Sequence, residues 1–177
     1  LFGCVRMQRN TSMKGFPMPE TRTLFLNGSC WLRADFHLHT MADKEFSFSG
    51  EDPAYISDYV QALKNACIGL GVITNHNKFD QAEFKNLRKE ALKEDIFLLP
   101  GVELSVNDGA NGIHTLVVFG DEWLTDRNDY INQFLNVAFE GKTPSEYENE
   151  NSRCTLGLIN TIQKLEGYHK DFFLIFA

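Results

Sequence analysis

Four histidines and one glutamate have the types and spacing to do chemistry. In "ADFHLHT", Ala34 to Thr40, two histidines stand one residue apart. Residues two apart in an extended strand project to the same side, so His37 and His39 can address one ion while Leu38 turns to the opposite face. His76 in "VITNHN", Glu103 in "PGVELSV" and His114 in "IHTLVVFG" add two more imidazoles and a carboxylate. Imidazole nitrogens with a carboxylate are the ligand set for zinc, manganese or iron, and a carboxylate can bridge two ions where an imidazole cannot. Two ions roughly 3.5–4 Å apart clamp phosphoryl oxygens and supply a hydroxide at neutral pH, which is hydrolysis without a protein nucleophile.

Taken singly these signals are weak. A His-x-His pair on a strand is often incidental, and Thr-Asn-His-Asn is also good turn chemistry. Glu103 is more informative, because a carboxylate inside an apolar strand needs a partner to offset its desolvation. The conjunction carries the reading: four of the five histidines and this glutamate all fall at strand ends. His169, in "EGYHKDFF", reads as a surface residue.

The elements that must position these groups alternate between strand and helix. "WLRADFHLH" is a strand ending at the histidines. Asp52-Pro53 supplies an N-cap and first-turn proline for a helix with Ile56, Val60, Leu63, Cys67 and Leu70 on one face, stopped by Gly69 and Gly71. "VITNHN" is a short strand, and Asp80 with Glu83 makes a capping pair for a helix that turns Phe84, Leu87 and Ala91 inward. "IFLLPGVELSV" and "IHTLVVFG" are strands flanking the turn-rich "NDGANG". If that turn closes a hairpin, His114 is brought close to Glu103. A helix over 126–139, a polar loop over 141–153, a helix over 155–166 and a terminal strand in "DFFLIFA" complete the pattern. Such alternation predicts an α/β fold with a parallel sheet or barrel, whose functional residues collect at the carboxyl ends of the strands.

Composition sets the class. At 177 residues and 43% hydrophobic, the chain can bury a real core in one domain. The net charge of -7 is uneven: residues 1–34 carry Arg6, Arg9, Lys14, Arg22 and Arg33 against Glu20, so the rest is acidic and shows no basic stripe of a general nucleic-acid binder. Residues 1–26 read as a disordered or linker-like arm ahead of a domain over 27–177. The four cysteines are far apart with no Cys-x-x-Cys pair, as in a reduced cytoplasmic protein, and no run has the length of a signal peptide or membrane span.

In order and spacing, "DFHLHT", "ITNHN", "PGVELS" and "HTLVVFG" resemble the successive motifs of the PHP (polymerase and histidinol phosphatase) family, over about half the chain from Trp31 to Gly120. The stretch "NGSCWLRADFHLHT" further resembles PHP domains that precede an SMC-like or AAA-like ATPase. The resemblance implies a distorted TIM-like barrel of (β/α)7 type, here partial with its C-terminal strands missing. It implies two or three divalent ions (Zn, Mn or Fe) and hydrolysis of a phosphomonoester or of a nucleic-acid or nucleotide phosphodiester by metal-activated water, as in DNA repair or nucleic-acid processing. Carried over, His37 and His39 bind the first ion, Glu103 bridges the first and second, His114 binds the second and His76 the third. Glu103 and His76 are then the catalytic groups, and Asp35 and Asn75 orient the imidazoles.

Three departures qualify this. Asn75 stands where the family has aspartate. "MADKEFSFSG" lacks the family's additional histidine, Glu45 being the nearest substitute. The family's later histidine and Asp-x-His are absent, so the chain reads as the first part of a catalytic domain with two ions each short of a ligand and reduced activity. The alternatives are a degenerate domain that regulates or assembles with an attached ATPase, an amidohydrolase-type C–N hydrolase, and an α/β domain with incidental histidines. The second is disfavoured by Glu103 in "GVE" and by the lack of a suitable bridging lysine.

Overall fold

The computed structural model describes residues 31–110, 112–125, 127–149 and 151–176. Leu32–Ala177 forms a compact unit. The expected arm over 1–26 lies outside the described residues.

Five strands form one mixed sheet in the order β1 (Arg33–Leu38), β2 (Ile68–Ile73), β3 (Phe97–Val106), β4 (Ile113–Phe119), β5 (Phe172–Phe176). β1, β2 and β3 are parallel, and β4 and β5 run antiparallel to their neighbours. The sheet is mixed and not parallel throughout, because the few residues between β3 and β4 suffice for the hairpin that "NDGANG" allows and not for a crossover. Phe36 on β1 and Phe173 on β5 meet edge to face, ring centroids 6.1 Å apart. A flat sheet would hold its first and fifth strands about 19 Å apart. The sheet is therefore curled into a partial barrel wall, open between β1 and β5 among the described strands.

The first crossover passes through a 3-10 turn (Asp52–Ala54) and helix α1 (Tyr55–Asn65). Tyr55, Val60 and Leu63 face the core, as the periodicity requires. Asp52 lies inside the 3-10 turn and caps nothing. The helix also stops earlier than expected. Cys67 adopts a left-handed backbone (φ 57°), its amide closing on the Lys64 carbonyl, and Leu70 belongs to β2. Gly69 and Gly71 are strand residues, not helix stops: a Cβ on Gly71 would lie 2.7 Å from Leu38 Cδ1 and 2.9 Å from Leu98 Cδ2. They permit side chains to close over the strand.

The second crossover is α2 (Gln81–Ala91), where Asp80 accepts from the Glu83 amide and Phe84, Leu87 and Ala91 are buried. The outward face of the hairpin, with Val102, Leu104, Val106, Val117 and Phe119, packs with these residues into a single core. Three helices follow β4: α3 (Tyr130–Ala138), α4 (Pro144–Tyr147) and α5 (Leu158–Glu166). Each departs from the expected bounds. Asp129 is the cap of α3, accepting from the Asn132 amide, so the helix begins after the turn at 125–129. The loop over 141–153 contains α4, because Thr143 and Glu146 form a reciprocal cap and Tyr147 stacks on Phe139 at 4.3 Å. Helix α5 starts at Leu158, whose amide donates to the Asp108 carboxylate. Among the described residues no helix is long and apolar enough to cross a membrane.

Candidate metal centre

Pairing past the end of β2 builds the site. His76 forms a parallel bridge with Glu103, the Glu103 amide donating to the Asn75 carbonyl (3.1 Å) and the Asn77 amide to the Glu103 carbonyl (2.8 Å). In the hairpin Ser105 lies opposite His114 and Glu103 opposite Leu116, so His114 sits diagonally across from Glu103 on the same face. His37 is the penultimate residue of β1 and His39 follows the strand's end, where the β1–β2 register is irregular.

These five side chains converge. The Glu103 carboxylate is 3% exposed. Its Oε2 lies 2.6 Å from His37 Nε2, 3.4 Å from His76 Nε2 and 3.6 Å from His39 Nε2, and its Oε1 lies 2.6 Å from His114 Nδ1. The imidazoles of His37, His39 and His76 form a tilted stack with centroid spacings of 4.9 and 4.6 Å. His169 is exposed and belongs to none of the described clusters.

Asp43 joins this group, and the sequence reading missed it. Its Oδ2 lies 2.9 Å from His39 Nδ1 and 2.9 Å from His76 Nδ1 and accepts from the His76 amide at 2.8 Å; its Oδ1 accepts from the Glu45 amide. The sequence offers Glu45 as the nearest substitute for the family's additional histidine in this segment. Asp43, four residues after His39, touches His39 and His76 and is 4% exposed. Its signal was faint: an aspartate in a polar loop has no periodicity to mark it as buried.

Asp35 and Asn75, the two residues expected to orient imidazoles, make the following contacts. Asp35 Oδ1 accepts from the backbone amide of His37. Asn75 Oδ1 accepts from the Thr40 amide and its Nδ2 donates to Thr40 Oγ1, both at 2.8 Å. Thr40 Oγ1 in turn donates to Glu83, whose carboxylate also accepts from the Ala42 amide. The Glu83 carboxylate thus serves the loop that carries Asp43. Tyr55 accepts from the Met41 amide and Tyr59 donates to the His39 carbonyl, so two helices hold segment 39–43. Asn77, left-handed (φ 52°) and fully buried, donates to the carbonyls of Tyr147, Asn149 and Ser152 and accepts from the Ser105 amide. It ties the α4 loop to the rim.

Electrostatics follow from these contacts. The hydrogen bond to Asp43 raises the His39 pKa against the opposing effect of burial. Burial alone would raise Asp43, but hydrogen bonds from His39 and from the amides of Glu45 and His76 hold it far below the usual carboxylate range. Glu103 is likewise lowered, burial being outweighed by His114 and His37. Among the described residues, three overlapping groups have ligand atoms within 4.8 Å of one another: His37, His39 and Glu103; His39, Asp43 and His76; His76, Glu103 and His114.

The donor set fits divalent cations. His39 and His76 both direct Nδ1 at Asp43, which as a carboxylate can only accept. In the neutral ring the proton therefore sits on Nδ1, and the Nε2 lone pairs face Glu103 Oε2 at 3.6 and 3.4 Å. Acceptor faces acceptor across a gap too long for hydrogen bonds and suited to an ion between them.

No protein-family model and no curated protein matches the chain. Among solved structures it is similar to an amidohydrolase from Chromobacterium violaceum with bound sulfate and no metal, at 20% identity and TM-score 0.41 over 61% of this chain and 34% of that one. It is also similar to a protein from Bifidobacterium adolescentis proposed to be a metal-dependent phosphoesterase, at 16% identity and TM-score 0.43 over 77% of this chain and 50% of that one. The chain thus spans half or less of their lengths, and its chemistry is read from its own side chains.

Proposed function

We propose that this site holds two or three divalent cations and hydrolyses phosphoesters, either a phosphomonoester or a nucleic-acid or nucleotide phosphodiester. The observation that carries the reading is the placement of Glu103. Its two oxygens face different histidines, His37, His39 and His76 about Oε2 and His114 at Oε1, as a carboxylate shared between ions requires. The motif resemblance to PHP domains supports the same assignment and a barrel of that family's type.

Bound zinc, manganese or iron would neutralise phosphoryl oxygens and lower the pKa of water. The chain's residues do the rest. His37, His39, His76 and His114 would supply imidazole nitrogen donors. Asp43 fixes the tautomer of His39 and His76 so that both Nε2 atoms point inward. Glu103, kept ionised by its histidines, would supply negative charge to bound cations.

The test is turnover by the manganese- or zinc-loaded chain of p-nitrophenyl phosphate and bis-p-nitrophenyl phosphate, with p-nitroacetanilide as the amide control. Hydrolysis of a phosphoester that is lost in Glu103→Gln is expected. Hydrolysis of the anilide alone would overturn the assignment.

A further inference from the structure

We propose that the groove between β1 and α1 receives a flat, apolar aromatic leaving group of the phosphoester, which narrows the substrate class to small aryl-type phosphoesters. This rests on the phosphoesterase reading above. The groove has a volume of about 540 Å³, within the range of small-molecule sites, and His37 and His39 form part of its wall. A phosphoryl group at the histidines would therefore have its ester substituent beside this opening.

The walls are apolar and braced. α1 contributes Tyr59, Ala62 and Leu63, and Ala66 caps its end, a stripe at helical spacing whose two alanines leave the space open. Phe46 and Phe48 add two aromatic rings to the lining. Phe46 lies 6.2 Å from Tyr59, Phe48 lies 5.4 Å from Tyr55, and Tyr55 lies 5.8 Å from Tyr59, so each ring is held by another. The Tyr59 hydroxyl donates to the His39 carbonyl, which ties this ring set to the metal-site segment. Offset and edge-on ring contacts of this kind favour a planar guest.

Charge separates a small aryl ester from a nucleic-acid strand. The charged lining residues are Arg33, Asp35 and Asp58. Arg33 already donates to the Ala66 carbonyl, so the groove offers more negative than positive charge to a chain of phosphates. In the reaction the water oxygen bonds to phosphorus, the phosphorus–oxygen ester bond breaks, and the leaving oxygen takes a proton from that water and departs as the hydroxylated arene.

The experiment uses the full chain and three probes: 1-naphthol, 1-naphthyl phosphate and glycerol 2-phosphate. 1-Naphthol carries no phosphate, so its fluorescence on binding reads the groove without catalysis. Ala62→Trp fills the groove, and Phe48→Ala removes a wall should the tryptophan impair folding. Saturable 1-naphthol binding, weakened about tenfold or more in either variant, is expected. The ratio of kcat/KM for 1-naphthyl phosphate over glycerol 2-phosphate should fall by a similar factor. No 1-naphthol binding, or equal binding in both variants, would overturn the groove assignment even if phosphoesters are hydrolysed. Variant-sensitive 1-naphthol binding with neither ester hydrolysed would overturn the phosphoesterase reading and the leaving-group role with it.

Discussion

The Asp43 carboxylate accepts two hydrogen bonds from His76, one from its backbone amide at 2.8 Å and one from its Nδ1 at 2.9 Å. The same oxygen holds His39 Nδ1, so one buried aspartate sets the ring orientation of two candidate ligands. Asp43→Asn removes the negative charge beside both rings and, with its carbonyl oxygen kept toward them, turns an amide donor onto the Glu45 amide that Oδ1 accepts from. It is expected to weaken zinc or manganese binding by about 10–100-fold, measured by competition against a chelator. Unchanged affinity would remove Asp43 from the site.

The pH response of the metal-free chain has a definite sign. His39 is raised by Asp43, so its contribution to stability is full below the ordinary histidine pKa of about 6.5 and is lost as pH rises through the raised value. Asp43 is lowered, so its contribution is present above about 3.9 and is lost as pH falls through the depressed value. This pair therefore stabilises the metal-free fold most between roughly pH 4 and 6.5. Bound cations compete with the His39 proton, so the rise in Tm on adding manganese should be larger at pH 8 than at pH 5.5. A larger rise at the lower pH would contradict this.

Thr40 is fully buried and connects Asn75 to Glu83. Thr40→Val keeps the shape and removes the hydroxyl, leaving a buried Asn75 donor unpaired. A loss of about 1–3 kcal/mol is expected in urea unfolding. Because segment 39–43 carries Asp43, metal affinity should fall as well. A stability loss with unaltered affinity would show that the network supports the fold alone.

Leu87→Ala gives the contrasting case. Leu87 is fully buried on the inward face of α2 and belongs to the hydrophobic core. The substitution should cost about 2–5 kcal/mol in urea unfolding. The folded variant should retain the metal stoichiometry of the parent chain.

What could be read from the sequence was what periodicity and ordered spacing encode. The inward residues of α2, the hairpin between Glu103 and His114 and the five-residue convergence all have local signals: Phe84, Leu87 and Ala91 at helical spacing, "NDGANG" as a turn, and histidines after apolar runs. The misplaced end of α1 has a physical reason. Cys67 takes a left-handed backbone that propensity assigns to glycine, and the nearby glycines serve side-chain packing in β2. Asp43, Thr40 and Glu83 escaped notice because their roles are tertiary. Glu83 looks like half of a capping pair until the loop bearing Thr40 is folded onto it.

The most direct test of the centre is calorimetric titration of zinc or manganese into the metal-free chain and into the His37→Ala/His39→Ala variant. The parent chain is expected to bind at least two ions, and the double variant fewer, with its far-ultraviolet circular dichroism unchanged. Equal stoichiometry in the two proteins would contradict the assignment of His37, His39 and Glu103 to a shared metal centre.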